Sequence, residues 1–472
     1  MFKSKAVKQN FTEGPIFFRL GIYALPIMLT GLIQTLYSIA DNIVVGQFSG
    51  NDNALAAVGS TTTISNFLIN LTLGFSIGAG IAVAQYIGAK DDKKVSASVH
   101  TSMALSLIAG AFLCVIGLIL SRPVLVLIDT KPELLDDALT YLRIIMLGIP
   151  GQTIYNFGAA ILRSTGDSKT SLYILSATGI ANVLLNLLFV IVFNMSVVGV
   201  ALATIISQYA SAFAVVIVLM RAKGSHKLSL SKLNLDLPIL KRVTRLGLPS
   251  GIQSGIFALS GIVLTSAINQ FPKTTIYAYA VGTNVDSITH TIMTSFQQAA
   301  MTFTAQNFGA KKLGRIKKTF GYSVFWAVLS AVVFGSLTLV FAEPITKLYI
   351  SAGNENTEEI IAEALVMMNL ILKTYFLLAT MNVMTGVLRG LGYSISAMLG
   401  SIACVVGGRL VWLFVFFPME RFHTFHGVIL SYPVSWAMAV VTFGTVLFFV
   451  LRNLKTKLLL RESTENEKVS VN

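Results

Sequence analysis

Charge is what this chain has least of. Of 472 residues only 12% are charged, while 54% are hydrophobic, and a soluble domain carries about twice that charged share. A chain this apolar cannot cover itself against water, so its solvent is mostly lipid. Cysteine is scarce too: Cys114 and Cys404 both lie inside apolar runs, which argues against a disulfide framework. Together with five histidines they show no metal-ligand spacing. No G-x-x-x-x-G-K-[ST] pattern occurs, so the chain holds no ATP motor and no ATPase subunit is called for. No G-x-S-x-G nucleophile elbow occurs either, and nothing marks an enzyme. A filter-like motif or charged ring, which a channel would need, is also missing. No cleavable leader is expected, because residues 1–13 are polar and the apolar run from Pro15 is too long for one.

What is present is a repeat built of long apolar runs. Ala84-Gln85-Tyr86-Ile87-Gly88-Ala89-Lys90 returns as Ala305-Gln306-Asn307-Phe308-Gly309-Ala310-Lys311. Ala57-Val58-Gly59 returns as Ala280-Val281-Gly282, and Leu162-Arg163-Ser164-Thr165-Gly166 as Leu388-Arg389-Gly390-Leu391-Gly392. Gly199 matches Gly427. The offset is close to half the chain throughout, the mark of a duplicated membrane unit. Runs long enough to span a bilayer number twelve. In the first half they cover roughly 16–46, 55–88, 95–120, 134–160, 169–194 and 197–221. In the second they cover roughly 240–270, 275–308, 317–342, 358–387, 394–418 and 425–452.

The expected fold is therefore an all-α integral membrane protein of twelve transmembrane helices in two six-helix lobes. Residues 1–14 form an N-terminal segment, 15–221 the first lobe, 222–239 a linker, 240–452 the second lobe and 453–472 a disordered tail. Kinks are expected at Pro26, Pro150 and Pro249, and Gly74, Gly78 and Gly80 permit close helix contact. With the N-terminus inside, 27 of the 35 Lys and Arg residues fall on cytoplasmic segments. Both termini are then cytoplasmic. The net charge of +14 reads as a topology signal, and no nucleic-acid partner is implied. The alternating leucines of the linker, Leu228 to Leu237, fit either an ordinary connection or an amphipathic strip on the inner leaflet.

Polar groups at membrane depth need a reason. In the first span Gln34, Tyr37, Ser38 and Asp41 share one helical face, which should look into a cavity. An acid removed from water favours its neutral form, which suits Asp41 to exchange a proton or, ionised, to hold a monovalent cation. A structural hydrogen-bonding role at a helix end is the plainer alternative. Asn182 and Asn186 in the fifth span and Thr204 in the sixth supply oxygen ligands for a hard cation, or equally interhelical glue. Asn156 in the fourth span is a weaker candidate of the same kind. The second half places Asp286 and His290 one turn apart in the eighth span and Lys373 deep in the tenth. Asp286 is expected to pair with Lys373 or His290, to serve as a second proton site, or to contact substrate.

Taken together, the chain resembles the multidrug and toxic compound extrusion family of antiporters, in its prokaryotic branches, from about Pro15 to Arg452. The resemblance rests on Asp41-Asn42-Ile43-Val44-Val45-Gly46, Gln85-Tyr86-Ile87-Gly88-Ala89, Leu162-Arg163-Ser164-Thr165-Gly166-Asp167-Ser168 and Arg389-Gly390-Leu391-Gly392-Tyr393. It implies two lobes that open alternately and export amphipathic, often cationic small molecules against inward H+ or Na+. No cofactor, a cytoplasmic-membrane location and a functional monomer in the bilayer go with it. The family's first-lobe coupling site maps onto Asp41, Asn182, Asn186 and Thr204, with Na+ expected at Asp41, Asn182 and Thr204 if sodium is the ion. Asn186 stands where that pattern usually has Asp. One carboxylate among amides cannot share a proton with a second, so Asp41 would carry the coupling and sodium would bind less tightly.

The substrate cavity is expected to be apolar and aromatic, drawing on 30 Phe, 14 Tyr and 15 Met. A lipid-linked precursor flippase or a polysaccharide exporter shares the two-lobe plan but favours a strongly basic cavity. Only Lys373, Arg143 and Arg409 lie at membrane depth here. A non-transporting receptor would need no acid facing a cavity.

Overall fold

The computed structural model describes residues 10–48, 54–350 and 356–470. In the first half, α1 (Ile16–Phe48), α2 (Ala54–Gly88), α3 (Asp92–Leu127), α4 (Pro132–Ser164), α5 (Ser168–Leu187) and α6 (Ser196–Arg221) follow one another, with a π-helical turn, Leu188–Val192, after α5. The second half holds α7 (Leu237–Ile268), α8 (Lys273–Gly309), α9 (Leu313–Val340), the short α10 (Ala342–Tyr349), α11 (Thr357–Lys373) and α12 (Tyr375–Gly390). It ends with α13 (Ser394–Ser401), α14 (Gly408–Val411), α15 (Phe425–Ile429) and α16 (Ser431–Ser470). π-helical turns Ile402–Gly407 and Trp412–Phe416 lie on either side of α14.

Among the described residues ten helical stretches are long and apolar enough to cross a membrane, and α11 with α12 makes an eleventh, bent by 47°. The twelfth expected span corresponds to α8, 37 residues long. Its Asp, His, Asn, Gln and Thr residues lower its apolarity, not its length. The outward faces suit lipid: Leu127 is 81% exposed, Phe414 70% and Val441 70%, which water would penalise.

The sequence repeat is also a repeat of corners. Between α2 and α3, Lys90 has φ +57°, and between α8 and α9 its repeat mate Lys311 has φ +56°. Lys90 N–H donates to the Ile87 carbonyl at 3.1 Å and Lys311 N–H to Phe308 at 3.0 Å, closing each helix in the same left-handed turn. Gly166 (φ +91°) and Gly392 (φ +92°) repeat a second corner, one that favours a residue without Cβ. There Gly166 N–H meets Arg163 at 3.0 Å and Gly392 N–H meets Arg389 at 2.8 Å. Asp91 and Asp167 then cap α3 and α5 by accepting from Lys94 N–H at 3.1 Å and Thr170 N–H at 3.0 Å.

Two compact units result: Met1–Phe11 with Gly21–Leu259, and Thr12–Leu20 with Ser260–Asn472. The linker and most of α7 thus pack with the first unit. The linker backbone is docked on α3, where Ser229 N–H donates to His100 Nε2 at 3.1 Å and Asp236 N–H to Thr101 Oγ1 at 3.2 Å. Leu228 is buried, whereas Leu230, Leu235 and Leu237 are exposed. Glycines let α7 come against α2: a Cβ on Gly78 would overlap the Val243 carbonyl oxygen, and one on Gly74 would lie 2.6 Å from Gly251. Arg242 ties the same pair, donating to Gln85 Oε1 at 2.5 Å and Tyr86 Oη at 3.0 Å. In the second unit, the start of α1 packs on α9 through Trp326 Nε1, which donates to the Phe17 carbonyl at 3.0 Å.

Two expectations change. The helices continue through Pro26, Pro150 and Pro249, and among the described residues a bent helix pair breaks at Thr374, where no proline is expected to act. Neighbouring helix packing supports a proline's freed carbonyl inside a membrane helix, and a break of this kind needs no proline. The tail after Lys455, expected to be disordered, continues α16 to Ser470. Its Lys, Leu, Glu and Arg residues are good helix formers.

Candidate functional site

The first unit gathers the polar residues of α1 and α5. Tyr37 Oη donates to the carbonyl of Leu175 at 3.0 Å and lies 3.1 Å from that of Ser176. Gly179 permits this approach, since a Cβ there would overlap the tyrosine ring. One turn along α1, Asp41 accepts a hydrogen bond from the Asn186 amide. Asn186 also leans on Asn182, its Nδ2 3.5 Å from Asn182 Oδ1. Both asparagines are buried, Asn186 at 0% exposure. The side-chain amide oxygen of Asn186 is buried and has no hydrogen-bond donor among the described residues. An unmatched acceptor beside a carboxylate is costly and is relieved by a hard cation or by a water.

The remaining α1 residues divide. Gln34 and Ser38 are exposed, and Ser38 Oγ donates to the Gln34 carbonyl at 3.3 Å. The expected single polar face is thus split between a packed half (Tyr37, Asp41) and an open half (Gln34, Ser38). Following Asp41 on α1, Val44 and Val45 join a buried valine cluster with Val58, Val190, Val197 and Val200. Tyr141 of α4 packs against that cluster and lies within electrostatic reach of Asp41. A lone tyrosine in an apolar run carries no periodic signal, so sequence alone does not single it out.

Two first-half candidates spend their polar groups elsewhere. Thr204 spends its hydroxyl on the Val200 carbonyl at 2.9 Å, and among the described residues it makes no bond to Asp41, Asn182 or Asn186. Asn156 is buried between helices, donating to Thr72 Oγ1 at 3.1 Å and lying 3.4 Å from Gln152 Nε2. It ties α4 to α2.

In the second unit the expected ion pair does not form. Among the described residues Asp286 makes no salt bridge; its partner is the Tyr375 hydroxyl, which donates to the carboxylate. Lys373 ends α11 and is exposed, and His290 is exposed as well. The cause is the bend: α12 restarts at Tyr375, so residue 375 and not 373 meets α8. Around Asp286 stand groups that sequence alone does not connect. Tyr279 and Tyr432 join hydroxyls at 3.2 Å, and the Arg409 guanidinium lies 4.2 Å from the centre of the Tyr432 ring. Trp436 stands 5.8 Å from both the Tyr375 and Tyr432 rings. Among the described residues no group of three His, Cys, Asp or Glu side chains could hold a metal ion.

Comparison with known proteins agrees with this architecture. The MatE family model matches residues 26–188 and 249–414, one block in each half. The chain is 28% identical over 444 residues to a probable multidrug resistance protein, YoeA, of Bacillus subtilis, covering 92% of this chain and 94% of that one. It is 24% identical to the multidrug export protein MepA of Staphylococcus aureus, over 94% and 96% of the two chains. A solved multidrug resistance MATE family transporter of the MOP superfamily, captured facing outward, superposes with a TM-score of 0.87. That match covers 95% of this chain and 99% of the other at 20% identity. With a twelve-helix duplicated fold, long identity to multidrug transporters and a two-block match over most of its length, this chain belongs to the MatE family.

Proposed function

We propose that the chain is a secondary multidrug exporter of the cytoplasmic membrane, with both termini inside. It exchanges amphipathic, often cationic compounds for inward H+ or Na+, as lobes 15–221 and 240–452 open in turn. The observation that carries this proposal is the contact of Asp41 with the buried Asn186, beside the unmatched side-chain amide oxygen of Asn186. A carboxylate held away from water is stable when it takes up a proton or a cation. Either neutralises Asp41, and the Asn182 and Asn186 amides keep it oriented in both states.

Coupling then follows from charge. With its ion bound, Asp41 is neutral and no longer attracts a cationic compound. With the ion gone, the carboxylate favours one, so the two occupy the lobe in alternation. Thr204 supplies an oxygen from α6 only if its hydroxyl turns from Val200, which makes it the weakest member of the proposed site. Asp286 is the candidate second acid, with His290 on the next turn; Lys373 and Asn156 take no part. No cofactor is required, and one chain encloses the pathway as a monomer.

Uptake of a fluorescent cationic dye into inside-out vesicles, with proton and sodium gradients imposed separately, tests the function. Accumulation driven by one gradient supports exchange and identifies the ion. Absence of accumulation under both gradients overturns the proposal.

A further inference from the structure

Arg409 is a partly buried cation of the second unit that the coupling scheme leaves unused, and its setting is unusual. It lies in α14, four residues of α-helix between two π-helical turns, Ile402–Gly407 and Trp412–Phe416. Such local widening recurs where a helix re-aims a side chain for function. The guanidinium is laid over the Tyr432 ring at 4.2 Å. Its Nε is buried without a hydrogen-bond partner, and Arg409 makes no hydrogen bond or ion pair with any other described residue. A permanent cation at membrane depth with a buried, unmatched Nε donor is costly.

Nor does Asp286 answer it. Arg409 feels the Asp286 charge, yet no ion pair forms within 4 Å and the carboxylate takes its hydrogen bond from Tyr375. Opposite charges stand near each other without closing, bordered by the rings of Tyr279, Tyr432, Tyr375 and Trp436. A planar guanidinium resting on an aromatic face is shaped for bidentate recognition of a carboxylate.

We infer that Arg409 is the anion-recognising residue of a subsite in the second unit, one that takes the carboxylate of a zwitterionic aromatic compound. The ammonium or iminium end of the compound lies toward Asp286 and its ring among the tyrosines and Trp436. A purely cationic compound meets Asp286 equally well but gains nothing from Arg409. This presupposes that the chain binds and exports amphiphiles, and it adds a specificity that the coupling site cannot supply.

A matched pair of rhodamine dyes tests it, one a methyl ester with net positive charge and the other its free carboxylate. Binding of each to purified detergent-solubilised protein is followed by fluorescence polarisation, and export of each by vesicle uptake. In Arg409→Gln the preference for the carboxylate over the ester is expected to fall about tenfold, the usual weight of a hydrogen-bonded charge pair. Arg409→Lys keeps the charge but not the fork and is expected to fall between. An unchanged carboxylate-to-ester ratio overturns the inference, whether both dyes hold or both weaken together. So does wild-type protein that binds the ester and not the carboxylate. Failure of the export proposal reads differently: both dyes bind, the ratio responds to Arg409, and no gradient drives either.

Discussion

Asn186 of α5 donates its side-chain amide to the carboxylate of Asp41 on α1, joining helices whose contact residues are 145 positions apart in the chain. The bond fixes both side chains. It leaves the buried side-chain amide oxygen of Asn186 without a donor among the described residues. A second carboxylate at position 186 would repel Asp41; an amide steadies it instead.

Asn186→Asp tests that difference. Two adjacent acids share a proton and attract a +1 ion more strongly than one. Sodium affinity, read from the sodium dependence of dye uptake, is expected to rise by about tenfold, the order of one added charge contact. Unchanged ion preference would place residue 186 outside the site.

At Gly179 an added methyl would occupy the space of the Tyr37 ring. Gly179→Ala is expected to cost about 1–3 kcal/mol, the usual scale for overpacking, and to detach Tyr37 from Leu175. A lower melting temperature with weakened transport is the expected outcome. Retention of wild-type values in both would show that the ring has room to move.

The approach of α2 to α7 gives a harsher case. A Cβ on Gly78 would overlap backbone atoms of Val243 and Gly247, and backbone cannot yield as a side-chain tip can. Gly78→Val is expected to abolish the monodisperse peak in size-exclusion chromatography. Gly59→Ala, with nothing within 4 Å of its added methyl, is expected to run as wild type.

Much of this architecture is legible in the order of residues. The A-Q-x-x-G-A-K repeat announces the two halves, and in the fold it becomes two corners with Lys90 and Lys311 in the same left-handed backbone. Asp41 stands out because an acid in an apolar run has to be explained, and its spacing from Gln34 and Tyr37 puts all three on one face. Proximity of Asp41 to Asn186 follows only from resemblance to the family, since no local pattern joins positions so far apart. Lys373 misleads because the break at Thr374 carries neither Pro nor Gly, so the phase of α12 cannot be followed past it. Tyr375 and Tyr141 are silent for a related reason, and Arg409, visible as a basic residue at membrane depth, does not show its partners: one aromatic or one arginine in an apolar helix has no period, and its partners come from other helices.

Tyr375→Phe removes the donor to Asp286 and leaves a partly buried carboxylate short of a hydrogen bond, at a cost of about 1–3 kcal/mol. Thermal stability is expected to fall, and Asp286→Asn in the same background should recover part of the loss because the neutral amide needs less support. No recovery in the double variant would mean that Tyr375 stabilises the unit through packing on Trp436.

The central claim is that Asp41 carries the coupling ion. Purified protein in proteoliposomes, given a gradient of dye alone, should drive H+ or Na+ the opposite way, followed by a lumenal pH probe and by labelled sodium. Wild type and Asp286→Asn are expected to move the ion. Asp41→Asn is expected to bind the dye and move none. Ion movement that survives Asp41→Asn would contradict the account and transfer the coupling site to the second unit.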